Sequence, residues 1–182
     1  MASVLIPLAE GCEELEAVTI MDLLVRADIQ VVSAGLKNGP VTCSRGTVII
    51  PSTTLDDALR QDYDMVVLPG GLPGADYLDK DPRIQDLLVK MSAADKYTAA
   101  ICAAPKVLAS AGLLNNKKAT SYPGVIDKMP ISGMSYQQQA VVQDGKVITS
   151  RGPGTAMDFS LELIEILVGK DKRVEVENAL VR

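Results

Sequence analysis

Short apolar runs alternate with amphipathic stretches along the chain, and this alternation restricts the fold more than any other feature of the sequence. The runs typical of buried strands lie at residues 4–9, 29–34, 64–68 and 98–101. Helical spacing of apolar residues marks residues 13–27, 81–93, 104–111 and 155–168. Strands that are apolar on both faces form parallel sheets covered by helices on both sides. The sequence therefore predicts an α/β fold with a mostly parallel sheet, and its 182 residues fit a single domain.

The remaining segments complete this pattern. They are two short extended pieces within 41–51, a short helix at 55–60, a strand at 118–121, strands at 137–143 and 146–150, a charged link at 170–172 and a last helix at 173–182. The dipeptide Asp144-Gly145 is the strongest short-range hairpin signal, so we expect a small β-hairpin there.

Two details of the first strand and helix bear on the fold. Pro7 is awkward in a central strand because it has no N–H to donate to a neighbouring strand. In the first helix, Leu15, Val18 and Val25 fall at helical spacing, and they predict its apolar stripe.

The chain contains no histidine, which excludes several reaction mechanisms. A Ser-His-Asp triad, a Cys-His dyad and a histidine-containing metal site are all impossible, so a cysteine peptidase or amidotransferase is disfavoured. Proton transfer near neutral pH would fall to a carboxyl group with a raised pKa, a tyrosine, a lysine or a thiol. We expect neither a metal nor a cofactor.

Charge and hydropathy restrict the partners and the compartment. The net charge is −5 and no basic stripe is present, which argues against nucleic acid as a partner. No apolar run is long enough to cross a bilayer, and no signal-peptide pattern is present at the N-terminus, so no membrane partner is expected. Three scattered cysteines do not predict a disulfide framework, and a cytoplasmic location is expected.

Cys102 lies between a predicted strand and a predicted helix, with only alanines beside it until Pro105. Such a sharp turn is the geometry of a nucleophile elbow, which exposes a side chain at the end of a sheet. The start of the helix supplies unpaired N–H groups and a partial positive charge, which favour a thiolate. The alternative is that Cys102 is a small buried hydrophobic residue, the usual fate of a free cysteine.

Three loops should meet at one edge of the predicted sheet, because sites in such folds lie at the carboxyl ends of the strands. They are the segment 10–16, the segment 69–71 and the Cys102 turn. Gly70 and Gly71 permit positive φ and close approach of the backbone, so their N–H groups could face a ligand. A plain tight turn is the alternative for this pair.

Four motifs, in this order and spacing, resemble the ThiJ/PfpI superfamily and, within it, the deglycase and glyoxalase branch that includes Parkinson disease protein 7. The motifs are Gly11-Cys12-Glu13-Glu14-Leu15-Glu16-Ala17, Val67-Leu68-Pro69-Gly70-Gly71, Ala99-Ala100-Ile101-Cys102-Ala103-Ala104-Pro105 and Thr149-Ser150-Arg151-Gly152-Pro153-Gly154-Thr155. The resemblance covers nearly the whole chain. It implies a flavodoxin-like sandwich that pairs as a homodimer.

The resemblance also implies roles for individual residues. Cys102 matches the reactive cysteine of the family, and Glu16 matches the carboxylic acid that hydrogen-bonds its sulfur. Tyr122 stands where members of this branch carry a histidine, although a tyrosine also occurs there in some relatives. This departure puts a histidine proton shuttle in doubt, and Tyr122 is interpreted as a pocket wall and hydrogen-bond partner.

Further residues are predicted to border the substrate. They are the oxyanion donors Gly71 and Ala103 with the adjacent Gly70, the basic pair Arg26 and Arg45, and the residues Arg151 and Pro153 of a loop that borders the pocket across the dimer interface. Arg26 and Arg45 could also be ordinary surface charges. Cys12 and Cys43 are interpreted as structural, with oxidation under stress as the alternative.

The activity implied is a cofactor-independent glyoxalase or deglycase, that is, a lyase or hydrolase acting on methylglyoxal, related dicarbonyls or their early adducts. We expect a Cys102 thiolate to attack the aldehyde and a protonated Glu16 to carry the hydrogen shift. The competing hypothesis is a non-enzymatic oxidation sensor and redox-regulated chaperone, in which Cys102 forms a sulfinic acid.

Overall fold

The structure is a computed structural model that describes residues 1–182. The strands are Ser3–Leu8 (β1), Gln30–Gly35 (β2), Val41–Thr42 (β3), Val48–Ile49 (β4), Thr53–Thr54 (β5), Met65–Leu68 (β6), Tyr97–Ile101 (β7), Lys118–Ala119 (β8), Ser135–Tyr136 (β9), Val141–Asp144 (β10) and Val147–Ser150 (β11). The helices are Glu14–Arg26 (α1), Leu55–Ala58 (α2), Gly74–Lys80 (α3), Pro82–Ala93 (α4), Pro105–Ser110 (α5), Ala156–Val168 (α6) and Lys170–Ala179 (α7). Short 3-10 turns lie at Ile126–Lys128 and Pro153–Thr155.

A seven-stranded sheet forms the centre of the molecule, in the order β10-β11-β7-β6-β1-β2-β5. All neighbours are parallel except β10 and β11, which form the predicted antiparallel hairpin. Two pairs, β3 with β4 and β8 with β9, lie outside this sheet. The predicted fold class is confirmed.

Helices cover both faces of the sheet, and each face has its own apolar core. Alternate residues of the central strands point to opposite faces, as in any strand. In β1, for example, Val4 and Ile6 join the core beneath α1 and α6, whereas Leu5 joins the core beneath α4 and α5. Burial on both faces explains why the sequence of these strands is continuously apolar. None of the helices is both long and apolar enough to cross a membrane.

The ladder between β1 and β6 stops halfway along the strands. Its pairs are Val4 with Met65 and Leu5 with Val66, whereas β1 pairs with β2 as far as Leu8. Odd residues of β1 direct their polar backbone atoms toward β6, as the hydrogen bond from the Asp64 N–H to the Ser3 carbonyl shows. The missing N–H of Pro7 therefore falls on the β6 side, beyond the last paired residue. This position explains how a central strand tolerates the proline.

We call this interruption of the ladder between β1 and β6 the seam. It divides the sheet into two parts, β1-β2-β5 and β6-β7-β11-β10. The chain order reverses at the seam, and in open α/β sheets a ligand crevice lies at such a reversal, beyond the carboxyl ends of the strands.

The predicted apolar stripe of α1 is wrong. Leu15, Val18 and Val25 are 51%, 46% and 59% exposed. The buried face instead carries Glu16, Ala17, Ile20, Leu23 and Leu24. Both faces of this helix bear apolar residues at helical spacing, and the pattern alone does not say which of them meets the sheet.

Several predicted boundaries also differ from the structure. The charged segment 170–172 is the first turn of α7 rather than a link, and that helix ends at residue 179. The predicted helix at 55–60 ends at residue 58, and the predicted strand at 118–121 ends at residue 119. Helix α3 was not predicted, because it spans only two turns and has few apolar residues. Short elements leave weak periodic patterns.

Candidate active site

Cys102 occupies a sharp turn between β7 and α5. Its φ angle is +63°, a left-handed conformation that non-glycine residues rarely adopt. The turn is held from both sides, because the Cys102 N–H donates to the Ser150 carbonyl at 3.0 Å and the Cys102 carbonyl accepts the Tyr122 N–H at 2.9 Å. The predicted strand-to-helix elbow is therefore present. Cys102 as a whole residue is only 9% exposed, so large reagents have little access to it.

Glu16 reaches the same place from the first turn of α1 and is fully buried. Its Oε2 atom accepts a hydrogen bond from the Gly70 N–H at 2.8 Å. Its Oε1 atom is buried without any hydrogen-bond partner. The helix start is fixed by Glu13, whose carboxylate accepts the Glu16 N–H at 2.8 Å and whose own N–H donates to the Gly70 carbonyl at 2.9 Å. A buried carboxyl with one free oxygen beside a thiol is able to exchange a proton with it.

Gly70 is wedged between the two side chains. A Cβ atom at this position would lie 2.6 Å from the Cβ of Cys102 and 2.8 Å from Oε2 of Glu16. These clashes explain why glycine is needed here, and they show how close the cysteine and the glutamate approach. The N–H of Gly70 donates to Glu16, so it is not available to a ligand. The prediction that this N–H could face a ligand is wrong.

The backbone N–H groups of Gly71 and Ala103 face the thiol. Both lower the pKa of Cys102 by hydrogen bonding to its sulfur, and neither donates to a backbone carbonyl. Gly71 has a φ of +88°, which a residue with a side chain would adopt only under strain. Two backbone amides directed at one atom are a candidate oxyanion site.

The acidity predicted for Cys102 is wrong. Burial raises the pKa of the thiol to about 12, and the negative charge of Glu16 adds to this effect. The amides of Gly71 and Ala103 act in the predicted direction but are outweighed. With Glu16 ionised, these effects favour the thiol over the thiolate.

Burial also raises the pKa of Glu16, to about 7. The Gly70 N–H and the Cys102 thiol oppose this rise, and the nearby Glu13 adds to it. Because each group shifts the pKa of the other, Glu16 and Cys102 titrate as a coupled pair. Near neutral pH the carboxyl is partly ionised, so it can take up the thiol proton.

The pair spans the seam. Glu16 follows β1 on one side of it, whereas Cys102 and Gly71 follow β7 and β6 on the other. The candidate site thus lies at the reversal of strand order, where sites are found in such folds.

Tyr122 and the segment after β11 lie next to the elbow. The Tyr122 ring is 53% exposed and packs beside Gly152, where an added Cβ would be 3.3 Å from the ring. Arg151 follows Ser150, whose carbonyl accepts the Cys102 N–H. The Nε atom of Arg151 is buried without a partner. Pro153 begins the short 3-10 turn and is half-buried. The structure gathers these residues at one end of the elbow, and their roles toward substrate stay predictions.

The basic pair is not brought together in the same way. Arg26 forms an exposed ion pair with Asp22 at 2.8 Å, at the last turn of α1. A helix rises about 1.5 Å per residue, so Arg26 lies about 15 Å along the axis from Glu16. Arg45 is exposed, and only its backbone N–H is bound, by Glu14 at 2.9 Å. Within one chain, therefore, Arg26 does not contact the candidate site.

Sequence reasoning missed two residues that support the site. Glu13 caps α1 and raises the pKa of Glu16. An acidic residue just before the helix was a usable signal for this cap. Ser150 holds the Cys102 N–H through its backbone carbonyl, and no side-chain pattern announces a contact of that kind.

The fold and the site define a class: an α/β sandwich with a cysteine on a strand-to-helix elbow, a buried carboxyl group beside it and two free backbone amides. The model of the DJ-1/PfpI family matches residues 2–166, and the chain belongs to this family.

Curated relatives and solved structures agree with this assignment. The chain is 44% identical over 180 residues to protein dj-1beta of Drosophila melanogaster, covering 98% of this chain and 96% of the relative. It is 39% identical over 171 residues to the glutathione-independent glyoxalase DJR-1.2 of Caenorhabditis elegans, covering 94% and 90%. The crystal structure of Drosophila melanogaster DJ-1beta superposes with a TM-score of 0.94 at 42% identity, covering 99% of this chain and 97% of that one.

Proposed function

We propose that this protein converts methylglyoxal and related small dicarbonyls into hydroxy acids without a cofactor, using Cys102 as nucleophile and Glu16 as the proton-transfer group. The observation that carries the proposal is the buried Glu16 carboxyl, which has one unpartnered oxygen and is coupled to the Cys102 thiol. The glyoxalase name of the Caenorhabditis elegans relative supports the same reaction class.

In the first step, the ionised carboxylate of Glu16 accepts the thiol proton while the sulfur of Cys102 attacks the aldehyde carbon. The pKa of Glu16, raised to about 7 by burial, suits a base that works near neutral pH. In this mechanism Cys102 keeps its proton until substrate arrives, whereas the sequence predicted a thiolate before substrate binding.

The oxygen that becomes negatively charged is stabilised by the N–H groups of Gly71 and Ala103. Glu16 then returns its proton to this oxygen, which completes a hemithioacetal and restores the carboxylate. The next steps move a hydrogen between carbons. Glu16 removes the proton from the carbon bonded to sulfur, and the electron pair moves to the neighbouring carbonyl to give an enediolate. The hydroxyl proton of the hemithioacetal passes to that second oxygen, and Glu16 delivers its own proton to the carbon that bears it. The result is a thioester of the hydroxy acid, which water cleaves to release lactate and the free thiol.

The same attack would serve for early adducts of dicarbonyls on proteins, the deglycase form of the proposal. Release from an adduct then follows either direct attack by Cys102 or removal of free dicarbonyl in equilibrium with the adduct. Trapping free dicarbonyl with an excess of a small thiol separates the two, because only direct action would survive.

The test is turnover of methylglyoxal by the purified protein, followed as lactate formed per dicarbonyl lost. We expect equal amounts of both for the wild type, and loss of activity by more than about 100-fold in Cys102→Ala and Glu16→Gln. Cys43→Ala is the matched control, because it removes a buried cysteine outside the site. Turnover that persists in Cys102→Ala would overturn the proposal.

Oxidation sensing by Cys102 is the second candidate. It is favoured by the two amides of Gly71 and Ala103, which face the sulfur and could bind the oxygens of a sulfinate. A related structure is that of Toxoplasma gondii DJ-1 in an oxidized state, 34% identical with a TM-score of 0.93. Clean conversion of Cys102 to sulfinic acid by peroxide, together with absent turnover, would favour the sensor and its chaperone role over the enzyme.

A further inference from the structure

Cys12 and Cys43 form a second pair of sulfur atoms that the reaction above does not use. Their Sγ atoms are 3.6 Å apart, and the residues are only 1% and 5% exposed. A disulfide requires an S–S distance of about 2.05 Å, so the two atoms must approach by roughly 1.5 Å. They are separated by 31 positions in the chain, so their contact is a product of the fold.

Two hydrogen bonds fasten the backbone on either side of the pair. The Gly11 N–H donates to the Thr42 carbonyl, and the Ser44 N–H donates to the Cys12 carbonyl, both at 2.8 Å. These bonds keep the two thiols in contact.

The carboxylate of Glu14 holds the loop that carries Cys43. It accepts the Arg45 N–H at 2.9 Å, the Ser44 hydroxyl at 3.1 Å and the Thr47 N–H at 3.3 Å. Glu14 follows Cys12 by two positions, so the same segment supplies one thiol and positions the other.

We propose that Cys12 and Cys43 are a redox site in their own right, which takes up two oxidising equivalents from a hydroperoxide as an intramolecular disulfide. In the first step the sulfur of Cys43 attacks one peroxide oxygen. The O–O bond breaks, Cys43 becomes a sulfenic acid, and the other peroxide oxygen takes the thiol proton and leaves, as water when the oxidant is hydrogen peroxide. The sulfur of Cys12 then attacks the sulfenic sulfur, the S–S bond forms, and the thiol proton leaves with the hydroxyl group as a second water.

Cys43 is assigned the first step because it is the more exposed of the two. Burial raises the pKa of both thiols, but contact with the Cys12 thiol partly offsets the rise at Cys43. The contact between the two thiols also explains why the product is a disulfide. The Cys12 thiol attacks the sulfenic acid of Cys43 before a second peroxide can oxidise it further.

The pair adjoins the candidate active site without belonging to it. The backbone of Cys12 packs against Gly71 and Gly74, where an added Cβ would come within 2.8 Å and 2.6 Å of Cys12 backbone atoms. Oxidation would thus fix the loop that backs one of the two oxyanion donors. The inference does not depend on the proposed function.

The experiment uses Cys102→Ser, which removes the third cysteine and its competing oxidation. The protein is treated with hydrogen peroxide, unfolded in an alkylating agent and analysed by intact mass and peptide mapping. We expect a loss of two hydrogen atoms, no alkylation, and one cross-linked peptide containing both residues. The disulfide should raise the temperature midpoint of unfolding, and a reducing agent should reverse the rise.

The matched controls are Cys12→Ala and Cys43→Ala, each in the Cys102→Ser background, with folding checked by circular dichroism. Neither control should show the reversible rise. The proposal is overturned if both thiols of Cys102→Ser remain open to alkylation, if each forms a sulfinic acid separately, or if the only disulfide joins two chains.

Discussion

The proton shared by Glu16 and Cys102 is the smallest feature on which the chemistry depends. Because the ionised carboxyl raises the pKa of the thiol, a neutral side chain at position 16 should lower it. We expect Glu16→Gln to titrate Cys102 at lower pH than the wild type while turnover is lost. The rate of alkylation of Cys102 by a small haloacetamide, measured against pH, gives the pKa directly.

Asp86→Asn is the control for this measurement, because Asp86 is an exposed carboxylate on α4 that no ion pair engages. It should leave the titration of Cys102 unchanged. A thiol pKa that stays the same or rises in Glu16→Gln would contradict the coupling.

The same carboxyl makes stability depend on pH. Its pKa is about 7 in the folded protein, above the ordinary value of 4.5, because burial disfavours the charge. The folded state therefore holds this proton more tightly than the unfolded chain. The stabilisation is fully present below pH 4.5 and is lost as pH rises through about 7.

Glu16→Gln has no such proton to lose. Between about pH 5 and pH 8, the free energy of unfolding of the wild type should fall relative to that of the variant by up to about 3 kcal/mol. Denaturant titrations of both proteins at the two pH values measure the difference. Parallel curves would show that the Glu16 pKa is not raised.

For single residues, the sequence predicted the place of a side chain in the fold better than its pKa. The spacing around Cys102 indicated the elbow, and the structure contains it with a φ of +63°. The predicted lowering of the Cys102 pKa was wrong. The helix start that lowers this pKa can be seen in the sequence, whereas the burial that raises it more depends on the packed fold. The lack of a partner for Oε1 of Glu16 could not be predicted from the sequence either, because it depends on neighbours from distant segments.

The β6–α3 loop is the element with the least room for change. An alanine at Gly70 would bring its Cβ within 2.8 Å of the Ile101 carbonyl as well as the two reacting side chains. We expect Gly70→Ala to cost about 1–3 kcal/mol of stability and to abolish turnover. Thermal unfolding and the lactate assay measure the two effects.

Gly154→Ala is the matched control, because an added Cβ there meets nothing within 4 Å and its φ is not positive. Its stability should stay within about 0.5 kcal/mol of the wild type. If Gly70→Ala behaved like Gly154→Ala, the close packing described for the site would be incorrect.

Among the elements, long periodic segments were predictable and short ones were not. The four central strands and α4 follow from apolar runs and from Asp81-Pro82, whose aspartate caps the helix through the Arg83 N–H. The orientation of α1 was not predictable from periodicity, because apolar residues at helical spacing also lie on the face that is exposed.

The exposed stripe of α1 suggests how whole molecules associate. Leu15, Val18 and Val25 are apolar side chains exposed on one side of α1, with the Asp22 carboxylate between the two valines, and apolar residues grouped on an exposed face commonly mark interfaces. Since the family resemblance implies a homodimer, we expect a second copy of the chain to cover this stripe. Val18→Lys should shift the protein toward monomer in light scattering, because burial of the ammonium would oppose the contact.

Val89→Lys places the same charge at an exposed valine on α4, on the other side of the sheet. It should leave the association state unchanged. A wild type that is monomeric at all concentrations tested, or a dimer indifferent to Val18→Lys, would exclude this surface as the dimer contact.

The half-length ladder between β1 and β6 has a consequence for heat resistance. The strands of each part pair with one another, but beyond Leu5 and Val66 no strand pairing joins the two parts. Warming should separate the parts first where they are already unpaired, which draws Glu16 away from Cys102. The proposed activity should therefore be half lost at a lower temperature than the far-ultraviolet helical signal, while most of the backbone is still folded.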